Sequence, residues 1–174
     1  TIAGIGLISN AGARFDAPET ISDHGKFDDV LVGGYEPEEH IRDMKIDGVS
    51  GEVLYPSQGL FLFKVRDSHL LSAIFRAYNN WLADFCSADP ERLKGAALIS
   101  LHSVDLAIQE ARRAVTERGM LGVVLEPNPL NGRYFTDPEC DALWNELQEL
   151  DVPLCFHDTN VGHNKTHHAN FLRT

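Results

Sequence analysis

The sequence predicts an α/β fold built on a parallel sheet. Two observations carry this. From Gly51 onward, short runs of strand length alternate with stripes of helical period. The strand runs are also continuously apolar, which is how strands covered by helices on both faces read. Such strands are joined through right-handed crossovers.

The elements follow in order. Residues 1–35 are rich in Gly, Ala and Asp, with little periodicity beyond Ile2–Ile8, and are read as a loop-rich insertion segment. Pro37–Lys45 has proline early and acids in its first turn, so it is a short helix, ended by Gly48. Gly51–Ser57 is a strand. Asp67 caps a long helix running to about Cys86. Its apolar positions are Leu70/Leu71, Ile74, Tyr78, Trp81/Leu82 and Phe85, and Asp89-Pro90 breaks it. Gly95–Leu101 is a strand. Ser103 caps a helix with the stripe Val104, Ala107/Ile108, Ala111 and Val115, which Gly119 stops. Leu121–Pro127 is a strand. Asp137-Pro138 opens a helix with Leu143, Leu147 and Leu150, and Val152–His157 is the fourth strand. An open doubly wound sheet and part of a (β/α)8 barrel fit this order equally; a complete barrel typically needs about 250 residues.

The chain has 174 residues and a formal net charge of −11, from 15 basic and 26 acidic side chains. No Lys/Arg run exists, which argues against nucleic acid and anionic membrane surfaces as partners. No apolar run is long enough to span a membrane. Cys86, Cys140 and Cys155 are an odd set without a C-x-x-C pair, read as reduced, buried thiols in a reducing compartment. The expected location is therefore cytoplasmic. Phosphate-cradling loops and the G-x-S-x-G elbow are absent.

In either architecture, chemistry gathers at the carboxyl ends of parallel strands. Those ends are Tyr55-Pro56-Ser57-Gln58, Ser100-Leu101-His102, Glu126-Pro127-Asn128-Pro129 and His157-Asp158-Thr159-Asn160. Alternation puts Val152, Leu154 and Phe156 on one strand face, packed on helices. Pro153, Cys155 and His157 take the other. An inward histidine at a strand end suits a metal ligand, whereas taken alone it also reads as a side chain bonded to backbone. His163, His167 and His168 are read as a polar loop, His24 and His40 as solvent-facing, and His102 as part of the turn before Ser103.

The stretches DGVSGEVLYPS, RAYNNWLADFCSADPERLKGAALISL, ERGMLGVVLEPNP and DPECDALWNELQELDVPLCFHD together resemble one family. This is the amidohydrolase-2 group, metal-dependent barrel enzymes related to aminocarboxymuconate-semialdehyde decarboxylase. The resemblance covers roughly Pro37 to His157. It implies that residues 36–174 form part of a (β/α)8 TIM barrel, about strands two to five. It also implies a divalent metal, zinc first and manganese second, with His157 matching the ligand that ends the fifth strand. The H-x-H pair of the first strand, a sixth-strand histidine and an eighth-strand aspartate have no counterpart, so the sequence reads as the middle of a longer enzyme.

Two functions follow. One is a metal-dependent hydrolase or decarboxylase acting on a small carboxylate-bearing or cyclic substrate, inactive as this segment alone. In it Tyr55, Ser57, Glu126 and Asn128 line the pocket and Arg133 meets a substrate carboxylate. The other is a non-catalytic half-barrel scaffold, binding a partner or closing its open edges as a homo-oligomer. A nucleotide-binding open sheet is a weaker third reading.

Overall fold

The computed structural model describes residues 27–56, 58–127 and 134–157. Four strands, β1 (Glu52–Leu54), β2 (Leu93–Leu98), β3 (Gly122–Leu125) and β4 (Leu154–Phe156), form one sheet in the order β1-β2-β3-β4. β2 and β3 are parallel, with Leu98 opposite Val124. β3 and β4 are parallel, with Val124 opposite Cys155. Among the described residues four α-helices accompany them: α1 (Pro37–Asp47), α2 (Ser68–Cys86), α3 (Val104–Arg118) and α4 (Asp141–Glu149). The strand-helix alternation is the one expected, and among the described residues no helix is long and apolar enough to cross a membrane.

The chain divides into two compact units, residues 1–53 with 84–94 and residues 54–83 with 95–174. In the first, α1 begins at its proline and ends where Gly48 turns left-handed (φ 73°), donating its N–H back to Lys45 and Met44 carbonyls. Only glycine enters that conformation without a Cβ penalty. His40, expected in solvent, is instead held between two oxygens: Nδ1 lies 2.8 Å from the Gly33 carbonyl and Nε2 2.5 Å from Glu52 Oε1. Its ring stands edge-on to Phe85 at 5.6 Å. The reason is its position on α1: His40 rises from the turn facing Val32–Gly34, where the carbonyl waits. Arg92 ties the segment before β1 in place, donating to the Ser50 and Val49 carbonyls at 2.9 Å each.

In the second unit, Phe63, Leu71, Phe75, Ala96, Leu98 and Val124 are buried together, with Cys155 packed against them. Phe63 comes from a 3-10 helix, Gln58–Lys64, that the strand-and-helix pattern of the sequence did not foresee. The buried face of α2 also differs from the expected stripe. Leu71, Phe75, Asn79 and Leu82 are buried, whereas Leu70 and Trp81 are about half exposed. Asn79 is fully buried in an apolar face, which only complete hydrogen bonding permits.

Its partners are specific. Leu98 N–H donates to Asn79 Oδ1 at 2.8 Å, and Asn79 Nδ2 donates to the Leu98 carbonyl at 3.0 Å and to Glu110 Oε1 at 2.8 Å. The backbone explains the need. Gly95 O and Ile99 N bond toward β3. In a parallel ladder the groups of Leu98 then point the other way, toward β1. But β1 stops at Leu54, short of the positions that would face Leu98. The Asn79 amide completes what a longer strand would have supplied. Glu110 is in turn gripped by Arg113 through two hydrogen bonds of 2.6 and 2.9 Å. Both residues are under a tenth exposed, a buried ionic pair absent from the expected α3 stripe.

The remaining differences lie at element ends. β2 runs from Leu93 to Leu98, starting two residues and ending three residues before the expected bounds, and a turn at Leu101-His102 follows where strand was expected. Ser103 caps α3 as expected, its hydroxyl accepting from Leu106 N–H. Asp137-Pro138 opens a 3-10 turn, Pro138–Cys140, before α4 proper. β4 is shorter and less buried than expected: Phe156 is 44% exposed and packs edge-on to Phe135 at 5.0 Å. It is paired to β3 on one side and is an end strand of the described sheet.

Candidate functional site at the carboxyl end of β4

The sheet register aligns Leu98, Val124 and Cys155 across β2, β3 and β4. Two residues after Cys155 the chain reaches His157. Its N–H donates to the Leu125 carbonyl at 3.0 Å, continuing the ladder one step past the strand. That bond fixes the backbone from which the imidazole projects. Alternation then places His157 on the Cys155 face, opposite Phe156.

Tyr55 touches both members of that face. Its hydroxyl donates to Cys155 Sγ at 3.2 Å, and its ring centroid lies 6.1 Å from that of His157. So the carboxyl end of β1 and the carboxyl end of β4 deliver side chains to one place. The hydrogen bond to Cys155, helped by burial, holds the Tyr55 phenol above its ordinary pKa, so it is a protonated donor at neutral pH. Glu126 follows Leu125 directly and is buried, 3% exposed. Ser57, Asn128 and Arg133 lie outside the described residues.

The donors brought together are an imidazole nitrogen, a thiol sulfur and a phenol oxygen. Among the described residues, no group of three or more His, Cys, Asp and Glu could hold a metal ion. The Tyr55–Cys155 pairing was not foreseen, although period-two alternation had already put Cys155 beside His157.

A second polar spot lies at the end of β2. Ser100 Oγ lies 2.6 Å from His102 Nδ1 and accepts from His102 N–H at 3.2 Å, the local turn expected there. Burial lowers the His102 pKa. The adjoining cavity, lined by Ser72, Phe75, Ser103 and Glu110 among others, measures about 10 Å³. That is room for a single water, not for a substrate.

A helix-backed parallel sheet in the consecutive order β1-β2-β3-β4 defines the class: this is part of a (β/α)8 barrel. The chain belongs to the amidohydrolase family, whose amidohydrolase-2 model matches residues 36–172. It is 34% identical over 98 residues to the gamma-resorcylate decarboxylase of Rhodococcus jostii strain RHA1, covering 50% of this chain and 29% of that protein. It is 24% identical over 131 residues to the 2-amino-3-carboxymuconate-6-semialdehyde decarboxylase of Dictyostelium discoideum, covering 75% of this chain and 36% of that one. The crystal structure of a 2,6-dihydroxybenzoate decarboxylase complexed with 2,6-dihydroxybenzoate superposes with a TM-score of 0.62 at 25% identity, over 68% of this chain and 38% of the other. A dihydroxybenzoic acid decarboxylase from Polaromonas, solved with bound manganese and 2-nitroresorcinol, gives 0.64 at 23% identity, over 87% and 45%. The chain thus spans less than half the length of each of these relatives.

Proposed function

We propose that this chain carries part of the active site of a metal-dependent decarboxylase acting on a small carboxylate-bearing aromatic or cyclic substrate. The observation that supports this reading most is the placement of His157. It stands at the carboxyl end of a parallel strand, its backbone anchored to Leu125 and its ring beside Tyr55. Decarboxylase relatives favour carboxy-lyase over hydrolase chemistry.

His157 is the metal ligand in this reading, through a neutral imidazole nitrogen. A bound divalent cation would polarise the substrate and orient its carboxylate. Tyr55, a protonated phenol on the same face, is placed to donate to a substrate oxygen. Glu126, next to the Leu125 anchor, belongs to the pocket wall with Ser57 and Asn128, and Arg133 pairs with a carboxylate. Zinc and manganese are both candidates; the Polaromonas neighbour carries manganese. A catalytic zinc normally needs three protein ligands, so His157 acts with ligands beyond the described residues.

The test is metal content by elemental analysis and decarboxylation of 2,6-dihydroxybenzoate, in protein carrying this chain, with zinc or manganese added. His157→Ala is expected to abolish turnover and lower metal content. Unchanged metal content in that variant would remove His157 from the ligand set. A second reading, a scaffold that self-associates or binds a partner, is favoured by the sheet order, which puts β1 and β4 at the two ends. Metal-independent dimerisation through those strands, with no metal bound, would support it.

A further inference from the structure

We propose that His40 is a pH-sensitive clamp: it holds residues 27–36 against α1 and β1 while its ring carries two protons, and loosens them when the ring loses one. The clamp lies wholly within the first unit, residues 1–53 with 84–94. None of the residues proposed around His157 takes part, so it stands or falls separately.

It follows from counting protons. Nδ1 lies 2.8 Å from the Gly33 carbonyl and Nε2 2.5 Å from Glu52 Oε1. A carbonyl oxygen only accepts, and so does an ionised carboxylate. Both ring nitrogens therefore have to donate. A neutral imidazole has a single N–H, so only the imidazolium makes both bonds while Glu52 is ionised. With one proton gone, a nitrogen lone pair confronts an oxygen lone pair on one side of the ring.

The two bonds join separate elements. Gly33 is the buried residue of the 3-10 turn Val32–Gly34, and Glu52 opens β1. Backbone bonds carry the tie further: Gly34 N–H donates to Leu31, Tyr35 and Glu36 N–H to Val32, and His40 N–H to Glu36. Phe27 reaches the same turn through the Tyr35 ring, 5.1 Å away.

The imidazole is half-buried, so its cation keeps contact with water and escapes the full penalty of a buried charge. Other ionisable groups surround it. Glu36 and Asp43 lie one helical turn away on α1, Asp43 against Gly33, and Glu39 is paired with Arg42. The turn Val32–Gly34 brings none. Cys86, at the end of α2, is pushed up to about 11 by burial, with Lys94 opposing and Glu52 adding to it, and remains a neutral thiol. Of these side-chain types, only imidazole ordinarily changes charge between about pH 5 and 8. The clamp is closed toward the acid end of that range and open toward the alkaline end.

Hydrogen–deuterium exchange resolved to single amides, in protein carrying this whole chain, tests it. The Gly34, Tyr35 and Glu36 amides are read at about pH 5 and about pH 8, corrected for intrinsic exchange. Val49, bonded to Met44 at the far end of α1, is the reference. Losing a hydrogen bond to a charged group should lower protection of the three amides about tenfold or more at the higher pH, while Val49 holds. His40→Phe keeps a ring beside Phe85 and should be poorly protected at both pH values. Glu52→Gln, whose amide can donate to a neutral ring, should be protected at both. Circular dichroism reports folding, and His40→Gln, also expected to show no pH dependence, repeats that arm should the phenylalanine variant unfold. Native protection that does not change with pH overturns the clamp. So does a pH dependence that survives in His40→Phe or in Glu52→Gln.

Discussion

Replacing Asn79 by alanine is expected to be among the most damaging single changes in the chain. The substitution removes three hydrogen bonds at once: two to the Leu98 backbone and one to Glu110. It leaves the Leu98 N–H and carbonyl buried and unmet, since β1 has ended and offers no replacement. Each buried unmet group costs about 1–3 kcal/mol, so the two backbone groups alone cost roughly 2–6 kcal/mol. Loss of a donor to Glu110 and the small void add to this. Domains of this size have about 5–15 kcal/mol in total, so the variant should be marginal. The neighbour Asn80 provides the control. It is only half-buried and accepts from Arg113 and Arg118, so Asn80→Ala should cost about 1 kcal/mol. Urea unfolding by circular dichroism at constant m-value measures both. If Asn79→Ala cost no more than Asn80→Ala, the claim that this amide stands in for strand pairing would be wrong.

Four further outcomes are expected. Arg112, bonded to Glu146 at 2.7 and 2.5 Å, holds that carboxyl below its ordinary pKa. A depressed folded pKa means stability present above 4.5 and lost as pH falls through the folded value, so Arg112→Met should flatten the acid limb of the stability curve. His102 acts at higher pH: burial lowers its pKa, so the unfolded chain takes up the proton first. Stability then falls as pH drops through 6.5, and His102→Asn should remove that dependence in pH-resolved unfolding. An added Cβ at Gly122 would meet the Pro153 carbonyl at 2.7 Å, in the segment that leads into β4. Gly122→Ala should cost about 1–3 kcal/mol in urea unfolding and loosen amide exchange at His157. Finally, timed thiol labelling by mass spectrometry should find Cys155 modified well before Cys86 and Cys140, given its greater exposure.

The parallel alternation was legible because apolar runs and helix caps are local signals. Ser103, Gly48 and Gly119 all sit at the helix boundaries their chemistry implied. What escaped was polar and non-local. Asn79, Glu110 and Arg113 look like surface residues in a linear reading. Asn79 and Glu110 meet across two helices, 31 residues apart, and Arg113, which grips Glu110 on its own helix, also reaches Asn80 on α2. His40 was misread for the same reason, its partners lying 7 and 12 positions away. At the candidate site, alternation along one strand could align Cys155 with His157. It could not place Tyr55, 100 residues from Cys155, over that thiol.

The Asn79 amide also bears on how such a site can vary. Because a helix side chain finishes the backbone pairing of β2, the integrity of the sheet does not depend on how far β1 extends. The chain beyond Leu54 is released from ladder duty, and it is this released stretch that carries Tyr55 to Cys155 and His157. Insertions or exchanges after Pro56 would reshape what faces His157 while leaving Leu98 paired. The reach of the first loop and the stability of the sheet are thereby separate variables, free to change at different rates.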